Sequence, residues 1–178
     1  MPGASGPGIF RVSPLPALKR AEARDPSPHC TNFNKLMAVD EFQHFIEAQE
    51  PVYDRVVQEL VDGEKRSHWM WFIFPQVIGL GHSFMAQRFA LHSLKQAERY
   101  AGHPVLGKRL RECARLVLNL ENRSVPEIFG HPDDLKFHSS MTLFTLALPQ
   151  ETLFDSVLAK YFAGQRDLKT VEILSGQA

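Results

Sequence analysis

The chain has 178 residues, room for one ordinary domain and a tail but not for two full domains. Hydrophobic residues make up 44% and charged residues 22%, a globular composition that excludes wholesale disorder. Twenty Lys/Arg offset twenty Asp/Glu, so the chain exerts no bulk attraction on nucleic acid or on an anionic membrane, and neither is expected as a partner.

Residues 1–38 read as a Pro/Gly-rich disordered tail or an over-extended gene start. Six of the twelve prolines fall before residue 30, beside Gly3, Gly6 and Gly8, and residues 1–36 show no apolar periodicity. No apolar core suits a secretory signal, and a transit peptide is the weaker alternative. Met37 stands just before the first periodic segment and is a candidate start. The tail carries five Lys/Arg and two Asp/Glu, which leaves fifteen and eighteen in residues 39–178, a mildly acidic remainder.

From residue 39 the pattern is helical almost throughout. Asp40 caps a segment with Phe42, Phe45 and Ile46 on one side, and Pro51 precedes Val52, Val56, Val57 and Leu60, which Gly63 stops. Ser83 caps a long predicted segment with Ala86, Phe89, Ala90, Leu94 and Ala97 inward. Pro104 opens another, with Leu106, Leu110, Cys113 and Val117 on one face. Ser124 and Glu127 form a capping box around Pro126. Pro132 opens a helix carrying Phe137, Met141, Phe144 and Leu148, ended by Pro149. Leu153, Val157, Leu158 and Tyr161 follow, then Gly164 and a short helix near Leu168–Leu174. No period-2 segment or internal repeat is present. The expectation is an all-α, compact single domain of about seven to eight helices around a central apolar segment. Two cysteines, Cys30 and Cys113, cannot build a disulfide framework, and a reducing cytoplasm is the expected location.

That central segment is residues 67–87, which contain no Lys, Arg, Asp or Glu. Pro75 and the polar residues within it argue against a membrane span, which needs about 20 continuous apolar residues. Both tryptophans, Trp69 and Trp71, lie here beside His68. Either the run is a core helix with satisfied polar groups, or it is a pocket wall. In the second case Trp69 or Trp71 faces a planar group, Gln76 hydrogen-bonds and His68 transfers protons. In a helix, residues two apart point about 200° from each other, so one tryptophan at most faces a ligand.

A second cluster is Lys136, Ser139 and Ser140, at i, i+3 and i+4, with Asp133 one turn earlier. A lysine beside serines can hold an anion or activate a hydroxyl, whereas the plainer reading is a solvated Asp–Lys pair beside small packing residues. Glu64/His68 and Asp134/His138 lack a metal-site signature, so no metal ligands are assigned and no cofactor is expected. Lys108, Arg109, Arg111 and Arg115 read as a solvated helix face. Gly79-Leu80-Gly81 lacks the rest of a phosphate loop.

Ser67-His68-Trp69-Met70-Trp71-Phe72-Ile73-Phe74-Pro75-Gln76, followed by Gly79-Leu80-Gly81, resembles the signature of the largely bacterial domain-of-unknown-function family numbered 1810. The resemblance continues through His103-Pro104-Val105-Leu106-Gly107, Ile128-Phe129-Gly130, Asp133-Asp134-Leu135-Lys136, Ser139-Ser140-Met141-Thr142-Leu143-Phe144 and Tyr161-Phe162-Ala163-Gly164. It implies a compact, mostly helical domain and no established reaction. The label "calpastatin" attached to some members does not suit a short, Phe-rich globular chain. At residue 138 the family pattern often has arginine, where this chain has histidine.

The joint presence of His68, Gln76, Lys136, Ser139 and Ser140 in these motifs favours a pocket between the Ser67–Gln76 segment and the helix that Pro132 opens. Two readings follow. In the first the protein is an enzyme acting on a small anionic, ring-bearing metabolite such as a nucleotide, with His68, Ser139 and Ser140 catalytic and Trp69, Trp71, Gln76 and Lys136 binding the ligand. In the second it is a non-catalytic module that binds a ligand or protein through the same groove. A third, an interaction domain without a pocket, requires both tryptophans to be fully buried. Nothing in the sequence sets the oligomeric state.

Overall fold

The structure, a computed structural model, describes Gly3 and residues 40–176. The reading of residues 1–38 as a tail therefore lies outside the described residues, as does Cys30. Among the described residues there are ten helices and no strand, so the fold is all-α. They are α1 (Gln43–Gln49), α2 (Tyr53–Asp62), α3 (Met70–Ile73), α4 (Phe84–Arg88), α5 (Leu94–Gly102), α6 (Leu106–Asn119), α7 (Val125–Phe129), α8 (Asp133–Ala147), α9 (Thr152–Phe162) and α10 (Leu168–Ser175). None is long and apolar enough to cross a membrane.

The count exceeds the expected seven to eight for two reasons. The long segment predicted after Ser83 is two helices, because the chain between them makes an isolated parallel bridge, Val77 to Leu91. The Leu91 N–H donates to the Gln76 carbonyl at 2.9 Å and its carbonyl accepts from Ile78 N–H at 2.9 Å, so neither group is available to a helix. Ser83 caps α4 and Ser93 caps α5, each accepting from the N–H three residues on. The charge-free segment, in turn, holds the single turn α3 and all but the last residue of α4. The Phe72 carbonyl accepts from the Gln49 side chain at 2.6 Å and from the Tyr100 hydroxyl at 3.1 Å, so long-range partners satisfy it.

Local signals place the other ends. Gly63 ends α2 with φ +69°, a left-handed conformation that glycine adopts without strain. His103 Nδ1 accepts from the N–H groups of Val105 and Leu106 at the start of α6. Glu127 Oε2 accepts from the Ser124 N–H at 2.7 Å, half of the predicted capping box.

The helix at the middle is α8, which packs against α3, α5, α7, α9 and α10. Its inward residues are not one stripe: Phe137, Met141, Leu143 and Phe144 are buried, and so are Ser139, Ser140, Thr142 and Thr145. A helix buried nearly all round belongs at the centre of a fold. The charge-free segment lies against it, with Phe74 edge-on to Phe137 at 4.9 Å between ring centroids.

Close helix packing explains one motif glycine. A Cβ on Gly107 would overlap the Ala101 carbonyl, so glycine lets the first turn of α6 approach the end of α5. Arg111 then bridges them, donating from one nitrogen to the carbonyls of Ala101 and Gly107 and pairing through Nε and Nη2 with Glu151.

Candidate functional site

Glu59 orders the first half of the motif. It sits on the apolar face of α2, and its Oε2 accepts from Arg66 N–H at 2.9 Å, Ser67 N–H at 3.1 Å and Trp69 Nε1 at 2.7 Å. Oε1 accepts from the Ser67 hydroxyl at 2.6 Å. Burial pushes the carboxyl upward, but these hydrogen bonds outweigh it and hold Glu59 below its ordinary range. Trp69 is thereby locked into the core and Trp71 is turned the other way, half-buried against solvent.

Asp133, at the first position of α8, links the two tryptophans to two lysines. Its Oδ2 lies 2.6 Å from Lys65 Nζ and its Oδ1 lies 2.6 Å from Lys136 Nζ. Lys65 stands 5.3 Å from the centre of the Trp69 ring and Lys136 stands 4.4 Å from that of Trp71. Burial raises the Asp133 carboxyl, and the hydrogen bonds and charges of both lysines overcome that effect and hold it below the usual carboxylate range.

Beside this cluster is a half-open cleft of about 900 Å³. One wall is Trp71 and Gln76 with the loop 80–83, the second is α8, and the third is the chain 165–169 entering α10. Lys136 and Ser139 line it, as do His138, Arg166 and Lys169. Ser139 Oγ lies 3.1 Å from both the Leu135 carbonyl and Asp167 Oδ2, and its single proton goes to one of these acceptors. Asp167 caps α10 by accepting from Thr170 N–H at 2.9 Å and from the Thr170 hydroxyl at 2.6 Å. His138 Nε2 is 2.8 Å from the Gln165 carbonyl, and its ring stacks on Phe162 at 3.9 Å.

Of the seven candidate residues, Trp71, Gln76, Lys136 and Ser139 thus share one cleft. The other three lie outside its lining. Trp69 is in the core on Glu59, Ser140 is fully buried with no hydrogen-bond partner for its hydroxyl among the described residues, and His68 is exposed. Among the described residues no cluster of three or more His, Cys, Asp or Glu is placed to hold a metal ion. Cys113 is buried beside Tyr53, and burial, reinforced by the nearby Glu112 charge, pushes its thiol up to about 12 despite the Tyr53 hydrogen bond.

Sequence reasoning missed Lys65, Arg166, Asp167, Lys169 and Glu59. Glu59 had a signal, a carboxylate in register with Val56 and Leu60 on an apolar stripe, and Asp167 had another, a capping residue three before Thr170. Lys65 had none, because its partner Asp133 lies 68 positions away in the chain.

The sequence model of a protein family of unknown function, DUF1810, matches residues 39–174. The crystal structure of the conserved hypothetical protein Rv1873 from Mycobacterium tuberculosis is similar, at 50% identity and a TM-score of 0.75, over 76% of this chain and 96% of that one. No curated protein matches. With its family match covering nearly all of the described helices, the chain belongs to the DUF1810 family.

Proposed function

We propose that the cleft binds a small anionic molecule carrying a planar group, and that the domain acts as a binding module. The observation that carries this is the charge count at Asp133. One carboxylate serves two lysines, so the cluster retains a positive charge, and the side chains of Lys65, Asp133 and Lys136 are only 7%, 14% and 21% exposed. A positive charge this far from water is costly unless a counter-ion meets it. Lys136 directs that charge into the cleft, where Arg166 and Lys169 form no ion pair among the described residues. Trp71 beside Lys136 supplies a face for a flat ring.

Binding is favoured over turnover by the state of the hydroxyl and the imidazole. Ser139 faces acceptors, and Asp167 is already engaged by Thr170, so no free base is poised to take the serine proton. His138 is held by a carbonyl and a stacked phenyl ring. His68 lies outside the cleft lining.

The experiment is a thermal-shift screen of nucleotides and sugar phosphates against the full chain and Lys136→Ala. At least one anion should raise the melting temperature of the parent protein, lose that effect in the variant and be recovered unchanged. Conversion of the ligand would put the enzyme reading in its place. No stabilisation by any of the anions would remove the anion site altogether.

A further inference from the structure

We infer that Gln76 reads the edge of the ligand's ring, so that the molecule held in this cleft is a nucleobase-type heterocycle bearing a phosphate rather than a plain aryl phosphate. The inference rests on the anion-binding reading above and narrows it.

The backbone at Gln76 is pinned. Its carbonyl accepts from Leu91 N–H at 2.9 Å, Ile78 two residues on donates to the Leu91 carbonyl at 2.9 Å, and both neighbours, Pro75 and Val77, are buried. The side chain is half-buried in the cleft wall, and its carboxamide makes no hydrogen bond among the described residues. Gln49 shows what the fold does with a structural glutamine: its amide donates to the Phe72 carbonyl at 2.6 Å and to the Tyr100 hydroxyl at 3.1 Å, and its oxygen is 3.4 Å from Arg109 Nη1. Gln76 is left without such partners on a rigid stretch of chain, in the same cleft as Trp71.

A carboxamide presents a donor and an acceptor side by side. Its complement is a ring edge with an acceptor next to a donor, as on adenine or on the lactam edge of guanine and uracil. Lys136, 4.4 Å from the centre of the Trp71 ring, brings a cation within one ligand's length of the aromatic face. A volume of about 900 Å³ takes a nucleoside monophosphate. A site that hydrogen-bonds a ring edge also discriminates against an analogue lacking those groups, because its own polar atoms would be left unpaired.

The test is calorimetric titration of the full chain with the four common nucleoside 5′-monophosphates and with 1-naphthyl phosphate, an aryl phosphate without a hydrogen-bonding ring edge. At least one nucleotide should bind roughly tenfold or more tighter than naphthyl phosphate. Gln76→Ala should erase that preference by weakening the nucleotide alone, with a melting temperature close to the parent's because the side chain has no internal bonds to lose. Equal affinity for the two ligand types, or equal weakening of both by Gln76→Ala, overturns the role of Gln76. Naphthyl phosphate binding that Lys136→Ala abolishes would keep the anion site in that event. Binding of neither ligand type would overturn both readings.

Discussion

Asp133 Oδ1 and Lys136 Nζ are 2.6 Å apart, one helical turn from each other, and the same carboxylate holds Lys65 at 2.6 Å with its other oxygen. The pair is therefore not an ordinary exposed i, i+3 contact. It ties α8 to the chain leaving α2 and sets the lysine over Trp71. Asp133→Asn keeps the shape and removes the charge, leaving two largely buried ammonium groups with no carboxylate between them. The expected loss is about 3 kcal/mol of folding stability at neutral pH, measured by urea denaturation. Loss of less than about 1 kcal/mol would mean that solvent screens the cluster as it does a surface pair.

Glu59 accepts four hydrogen bonds without a cationic partner among them, which makes it an acid-sensitive point. Its folded pKa lies below the ordinary value, so its contribution is fully present above the usual Glu pKa of about 4.3. The contribution is lost as pH falls through the depressed folded value. Glu59→Gln should cost about 2 kcal/mol at pH 7, since an amide nitrogen cannot accept from the donors it would face. The variant should also show a shallower fall of stability below about pH 4.3 than the parent. Urea midpoints at pH 7 and across the acid range, with tryptophan emission as the probe, provide both readings.

Gly107 and Gly102 form a matched pair, five residues apart on adjoining helices. A methyl group at Gly107 meets the Ala101 carbonyl, which is backbone and has nowhere to go, whereas a methyl group at Gly102 meets nothing within 4 Å. Gly107→Ala should lose about 2 kcal/mol or more through forced separation of α5 and α6. Gly102→Ala should be neutral or stabilising by up to about 1 kcal/mol. Thermal melts of the two variants side by side check this. Equal effects would refute the close-packing account.

Cys113 should be silent in the native protein. Its thiol is buried and held up to about 12, so almost none is thiolate at pH 8. In a Cys30→Ser background, a disulfide reagent should release no thiol signal until denaturant unfolds the domain. Prompt reaction of the native protein would show that the core around Tyr53 opens readily.

Much of the helical architecture is legible in the sequence because its causes are local. Leu106, Leu110, Cys113 and Val117 recur at helical spacing and are all buried in α6, and Gly63 ends α2 in the conformation its residue type favours. The break at Leu91 is not legible, since it depends on hydrogen bonds to residues some fifteen positions away. The central position of α8 is hidden as well: Lys136, Ser139 and Ser140 read as a polar cluster, yet Ser139 and Ser140 are buried, as are Thr142 and Thr145 further along the helix. In the site, the residue types were readable but their directions were not. Trp69 and Trp71 are equivalent on paper, and the Trp69 hydrogen bond to Glu59 separates them.

What the sequence determined by itself is the helical class, most of the helix ends and the place of a charge-free segment, of which only the part from Trp69 to Val77 is largely internal. These follow from periodicity, capping residues and the cost of burying charge, all of which act within a few residues. Only the tertiary structure decided that Trp71 rather than Trp69 turns to the cleft, that Ser139 rather than Ser140 joins it, and that one aspartate is shared by two lysines. The physical reason is that each depends on contacts between elements distant in the chain. Asp133 meets Lys65 across 68 positions and Ser139 meets Asp167 across 28, separations at which no local pattern carries information.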